Sequence, residues 1–250
     1  MSELKTIDRG IGEWLILGYM PVSLFSLRMT HATSKGGKTL LVPTPYSFKM
    51  TLLDACFRAF ENNAEEKARQ VFDLIKDAEI RFMPPSLCIV QNTFIKIRQE
   101  ERDAPRGFFV PTIAYREFCF FNNEALKVAV GIKGLSNEDG SLIELLGSHI
   151  NCLGKRGSLW QFIERRLYKG DLPEGFTFPM PKEYSQSPNF RWILHLDDFG
   201  DALFKSGGFD RISTYGEGKI ELGKHRILVP TVVPYKFRQS SRNFTQFERV

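Results

Sequence analysis

The stretch from Ala125 to Phe162 limits the folds open to this chain more than any other. "ALKVAVGI" alternates Leu126, Val128, Val130 and Ile132 with Lys127, Ala129 and Gly131, the period of a strand with one buried face. Beyond Ser136 or Asn137, either of which can cap a helix, Leu142, Leu145, Leu146 and Ile150 recur at helical spacing and predict a helix from about Glu138 to Ile150. That helix empties into Leu153-Gly154-Lys155-Arg156-Gly157-Ser158, and an apolar run with Leu159, Trp160 and Phe162 follows. Strand, helix and strand joined by links this short must pack the helix against the sheet. Two cations between two glycines then sit on a sharp turn at one end of that sheet.

The rest of the chain repeats this grammar. Residues 14 to 29 read as a strand or a bent strand pair broken at Pro21, and "HATSKGGKT" (31–39) as a loop carrying Lys35 and Lys38. "LLVPTPYSFK" leads into a helix capped by Thr44 or Ser47, with Phe48, Leu52, Leu53, Cys56 and Phe60 inward. A second helix is predicted from Glu65 to about Asp77, burying Ala68, Val71, Phe72 and Ile75. "SLCIVQNTFIKIRQ" is a strand, "EERDAPRGFF" a polar turn-rich segment and "VPTIAYREFCFF" the return strand. The order strand, helices, strands, helix, strand predicts an α+β sandwich, helices on one face of an antiparallel sheet, ferredoxin-like in plan. After Arg166, "YKGDLPEGFTFPMPKEYSQSPNF" is a Pro- and Gly-rich excursion, and 190–250 holds short strands without a convincing helix. The expected division is therefore a core over 1–165 and a smaller β-rich part over 166–250.

Composition narrows the function. Net charge is +5 with 22 phenylalanines, and Phe94-Ile95-Lys96, Arg106-Gly107-Phe108-Phe109 and Tyr235-Lys236-Phe237-Arg238 place rings beside cations. That pairing suits single-stranded nucleic acid, phosphates on the charges and bases on the rings. No apolar run is long enough to span a bilayer, and "MSELKTIDRG" has no secretory pattern, so a cytoplasmic protein without membrane contact is expected. Cys56, Cys88, Cys119 and Cys152 are scattered and expected to be buried free thiols. The four histidines match no metal motif, and "SKGGKT" fails the P-loop spacing, although Lys35 and Lys38 can hold phosphate electrostatically. Neither metal nor cofactor is expected. One enzymatic option is metal-independent RNA cleavage by Tyr46, His31 and Lys38, which share one loop.

Three of these segments together resemble the CRISPR-associated RAMP superfamily. "LLVPTPYSFKMTLLDAC" is similar to its proline-rich approach to an apolar helix, and "TIAYREFCFFNNEALKVAVGI" to its R-E-[YF] strand. "LGKRGSLW" resembles the L-G-[KR]-[RS] loop of the Cas-five branch, whose members cap the 5′ handle of the guide RNA in type I Cascade complexes. The resemblance implies a ferredoxin-like, RRM-related core with a protruding β-hairpin "thumb" at about 94–118. It further implies RNA contacts from Lys35, Lys38, Lys49, Lys96, Arg98, Arg102, Arg106, Phe108, Phe109, Arg116, Lys155, Arg156 and Trp160. The implied partners are the crRNA 5′ handle, the Cascade backbone and large subunits and, indirectly, target DNA. A cleaving branch of the family uses tyrosine, lysine and histidine. Tyr46 matches that tyrosine, but the segment after the R-E-F motif offers Lys127 and no histidine, which implies a non-cleaving subunit.

Overall fold

The computed structural model describes residues 14–30, 32, 36–101, 103–154, 157–181, 191–213, 216 and 218–250. In chain order come β1 (Trp14–Pro21), the two-residue strands β2 (Leu27–Arg28), β3 (Gly36–Gly37) and β4 (Thr39–Leu40), then α1 (Pro45–Ala59) and α2 (Ala64–Ile75). β5 (Ile80–Met83), β6 (Leu87–Glu100), β7 (Phe109–Phe121) and β8 (Leu126–Gly131) precede α3 (Asn137–Ser148) and β9 (Trp160–Tyr168). The last part holds β10 (Phe178–Pro179), β11 (Trp192–Phe199), α4 (Asp201–Lys205), α5 (Phe209–Ile212), β12 (Arg226–Val233), β13 (Tyr235–Ser240) and β14 (Phe244–Arg249). Among the described residues no helix is long and apolar enough to cross a membrane.

A mixed α+β architecture results. One sheet runs β5-β8-β1-β9, antiparallel throughout, with α1 and α2 linking β1 to β5 and α3 linking β8 to β9. The alternation in β8 buries Leu126, Val128 and Val130 as its period dictates, but Ala129 is buried too. Its face is covered by Ile16 and Phe176, with Leu172 packed alongside, so the Pro- and Gly-rich excursion closes the second face of this sheet. Helix α3 is capped by Ser136, whose Oγ accepts from the Asp139 amide. It lies rotated from the expected orientation: Ile143 and Leu146 are buried, whereas Leu145 is 44% exposed. Gly147 decides the rotation, because a Cβ there would lie 2.6 Å from Leu17 Cδ1. Without one, the helix approaches β1 closely enough for the Tyr19 hydroxyl to donate to the Gly147 carbonyl at 2.8 Å.

A second sheet runs β13-β14-β6-β7-β3, with only β3 parallel to its neighbour. β6 and β7, 14 and 13 residues long, pair continuously from Cys88↔Phe121 to Glu100↔Phe109, more than twice the usual strand length. Near the base, Cys88, Val90, Cys119 and Phe121 point into the core. Four to six residues further on, the same face shows Phe94 at 72% and Ile113 at 63% exposure. That face of the distal half is exposed among the described residues, whereas Ala114 on the opposite face is buried.

The C-terminal part does not pack separately. β14 pairs with β6, and Leu194, Leu196, Val233, Tyr235 and Phe247 share one buried cluster with Leu15, Phe48 and Phe82. The Tyr235 hydroxyl donates to the Pro85 carbonyl at 2.9 Å. Two short helices, α4 and α5, stand in a stretch without helical periodicity; at five and four residues they are shorter than the window in which periodicity shows. Phe204 and Phe209 bring them against Phe72 of α2.

Candidate nucleic-acid interface

Helix α1 begins at Pro45, whose fixed φ suits the first helical position. Thr44 caps it: the Ser47 amide donates to Thr44 Oγ1 at 3.1 Å, and the Thr44 amide donates to Ser47 Oγ at 3.0 Å. No acidic residue occupies its first turn, so the positive end of the helix dipole is unopposed there. A cleft of about 850 Å³ opens at this point. Its walls include Thr44, Tyr46 and Ser47 of the helix start, Gly37 of β3, Arg116 of β7 and Gly154 of the turn after α3. Segments more than a hundred residues apart therefore meet around one opening.

Four arginines line it, Arg28, Arg58, Arg116 and Arg226, against the carboxylates of Asp54 and Asp197. Each guanidinium is oriented. Arg28 Nη2 donates to the Ala32 carbonyl at 2.9 Å and Arg116 Nη1 to the Tyr115 carbonyl at 2.7 Å. Arg58 pairs with Asp54 and donates through Nη2 to the His149 carbonyl at 3.2 Å. Arg226 pairs with the buried Asp197, donates to Thr30 Oγ1 at 2.8 Å and lies 4.3 Å over the Tyr46 ring. With five donors per guanidinium, positioned arginines suit anionic oxygens. Arg28, Arg58 and Arg226 were not among the residues expected from sequence. Arg226 opens a strand in the region without recognisable motifs, and only the fold carries it to the cleft.

The expected contact residues that are described divide into three groups. Arg116 lines the cleft, and Lys38 is exposed next to Gly37. Lys96, Arg98, Arg106, Phe108 and Phe109 are exposed on the distal half and tip of the β6–β7 hairpin. Lys49 and Trp160, by contrast, lie in the core at 1% and 3% exposure. Lys49 Nζ donates to Asp198 Oδ1 at 2.9 Å and to the Lys76 carbonyl at 3.0 Å, and the Trp160 ring packs 4.6 Å from that of Phe25. A buried, paired ammonium and an enclosed indole present nothing to a phosphate or a base, so both expectations are corrected. Lys35, Arg102, Lys155, Arg156 and the histidine of the cleavage option, His31, lie outside the described residues. What is described of the L-G-K-R-G-S turn is its frame. Gly154 and Gly157 have φ of 82° and 94°, a left-handed conformation that favours glycine, and the Leu153 amide donates to the Ser158 carbonyl at 3.3 Å.

No family model matches the chain. A curated relative, the CRISPR-associated protein Cas5 of Archaeoglobus fulgidus, is 25% identical over 152 residues. Over that stretch the chain is similar to Cas5. That alignment takes in 57% of this chain and spans 65% of the length of the relative. Among solved structures, a CRISPR protein from Archaeoglobus fulgidus superposes with a TM-score of 0.46 at 14% identity, covering 95% of this chain and 92% of that one. A chain of a CRISPR RNA-guided surveillance complex superposes with a TM-score of 0.43 at 14% identity, covering 89% and 90%.

Tyr46, the tyrosine of the cleavage option, is held on both sides. Its ring stands edge-on to Phe199 at 5.4 Å and under Arg226. Burial pushes its hydroxyl above the usual tyrosine value, with the Arg226 charge opposing and Asp197 adding to the rise. The phenol therefore keeps its proton at neutral pH and is a poor base. Asp197 and Asp198, two adjacent carboxylates beside the strand residue His195, are committed to Arg226 and Lys49.

Proposed function

We propose that the chain is a non-catalytic, cytoplasmic subunit of a type I CRISPR Cascade complex that holds the 5′ handle of the guide RNA in the arginine-lined cleft. The observation that carries this reading is convergence: Pro43 and Thr44 of the proline-rich approach to α1, Arg116 of the R-E-F strand and Gly154 of the L-G-K-R-G-S motif all border one cleft. The strand order β5-β8-β1-β9, with helices after its first and third strands in sequence, supports a ferredoxin-like core. The long β6–β7 hairpin, inserted between β5 and β8, supports the thumb reading. Its exposed Lys96, Arg98 and Arg106 beside Phe108 and Phe109 suit continuation of the RNA path toward the backbone and large subunits.

The test is to incubate purified protein, without metal, with a 5′-labelled repeat RNA and run native and denaturing gels. The expected result is a shifted, intact RNA. Arg28→Ala and Arg116→Ala should each weaken binding and lower the slope of log K against log salt by about 1. A discrete cut would replace the binding reading with the endoribonuclease one. An unchanged slope in both variants would remove the handle from the cleft.

A further inference from the structure

The sheet β13-β14-β6-β7-β3 has one face in the core; on its other face, among the described residues, Phe120 is exposed, Phe118 and Phe244 are half-buried and Ala114 is enclosed. Register separates the two: Cys88, Val90, Cys119, Phe121 and Phe247 point inward and are buried, so their alternates point outward. In one outward row Gln91 is flanked by Phe118 on β7 and Phe244 on β14. In the next, Ile89 stands between Phe120, which is 43% exposed, and Gln246, and Gln246 accepts from Gln239 Nε2 at 2.6 Å. Arg116, a wall of the cleft, precedes Phe118 by two residues and shares its face. At the far side Glu248, the one carboxylate on this face among the described strand residues, is 2.8 Å from Lys236 and 3.6 Å from Arg238.

We propose that this outer face is a second nucleic-acid site, a platform on which unpaired bases stack against Phe118, Phe120 and Phe244. Residues two apart on a strand are separated by about 7 Å and those two strands apart by about 10 Å, spacings that fit successive bases of an extended single strand. The glutamines between the rings offer both donors and acceptors to base edges. Cations stand at both ends of the face, and its single carboxylate is shared by two of them, so a phosphodiester backbone meets no uncompensated repulsion. Continuity with the cleft comes through Arg116. The proposal does not depend on which RNA the cleft holds.

A labelled oligouridylate without repeat sequence is the probe, titrated into the full chain by fluorescence anisotropy. Phe120→Ala and Phe244→Ala are each expected to weaken binding about tenfold while leaving the salt slope unchanged. Phe120→Leu is expected to behave like Phe120→Ala, because leucine keeps the apolar surface but removes the ring. Wild-type affinity in Phe120→Leu would overturn the platform, since a face built to dock an apolar protein surface tolerates that exchange. So would photocrosslinks from the oligonucleotide that map away from β6, β7 and β14. Failure of the cleft reading shows separately, as unaltered repeat-RNA binding in the Arg28→Ala and Arg116→Ala variants.

Discussion

Trp160→Ala is expected to cost about 3 to 5 kcal/mol of stability, the usual range for emptying a large aromatic site, and to leave the RNA affinity of the folded protein unchanged. Its ring lies 4.6 Å from Phe25 and 6.0 Å from Phe121. Trp160 belongs to β9, Phe121 to β7, and Phe25 bridges to Cys119 on that same strand. The three rings therefore join the β5-β8-β1-β9 sheet to the base of the long hairpin, and their loss separates two layers rather than one contact. Among the described residues the buried indole Nε1 has no hydrogen-bond partner, which offsets part of the packing gain. Trp160→Phe should thus be far milder than Trp160→Ala. Urea unfolding and RNA titration on the same samples decide the matter. A stable Trp160→Ala protein with weakened binding would return Trp160 to the interface.

The contrast between Trp160 and Arg116 shows what the sequence could carry. Leu126, Val128 and Val130 announce their strand because alternation is a local property, and the helix around Phe48, Leu52 and Cys56 does so for the same reason. Which aromatic near a basic turn faces solvent is not local: Trp160 is buried by Phe25 and Phe121, residues far away in the chain. Leu145 fitted the helical period of α3, yet the inward face was set by Gly147, where the absence of a side chain lets β1 approach. The cleft was half legible. Tyr46, Arg116 and Gly154 stand in recognisable motifs, whereas Arg28, Arg58 and Arg226 carry no local mark that three separate elements will aim them at one space. Lys49 was legible in principle. Positions 49, 52, 53 and 56 form one helical stripe, and a lysine on it signals a buried counter-ion as readily as a snorkelling surface cation.

That lysine supplies the second large effect. Lys49→Met keeps the aliphatic volume but removes the ammonium that contacts both oxygens of Asp198, at 2.9 and 3.2 Å, and the Lys76 carbonyl at the end of α2. The side chains are 2% and 25% exposed, so the variant should lose about 3 kcal/mol, the low end of the range for a broken buried pair. Burial raises the Asp198 carboxyl above its ordinary value of 3.8, while the charge and hydrogen bond of Lys49 and the Phe199 amide hold it down. An acid whose folded pKa lies above its unfolded one binds more protons in the folded state. Stability therefore falls as pH rises from about 4 through the raised value. Removing Lys49 lifts that value further, so the deficit relative to wild type should be largest at neutral pH and shrink on acidification as Asp198 takes up a proton. Urea midpoints at neutral and mildly acidic pH measure this directly, and the double variant Lys49→Met/Asp198→Leu should recover most of the loss because no charge is left stranded. A deficit independent of pH would show that the ammonium contributes packing alone. A stable Lys49→Met protein with a reduced salt slope for RNA would instead make Lys49 a phosphate ligand that leaves the core when RNA binds.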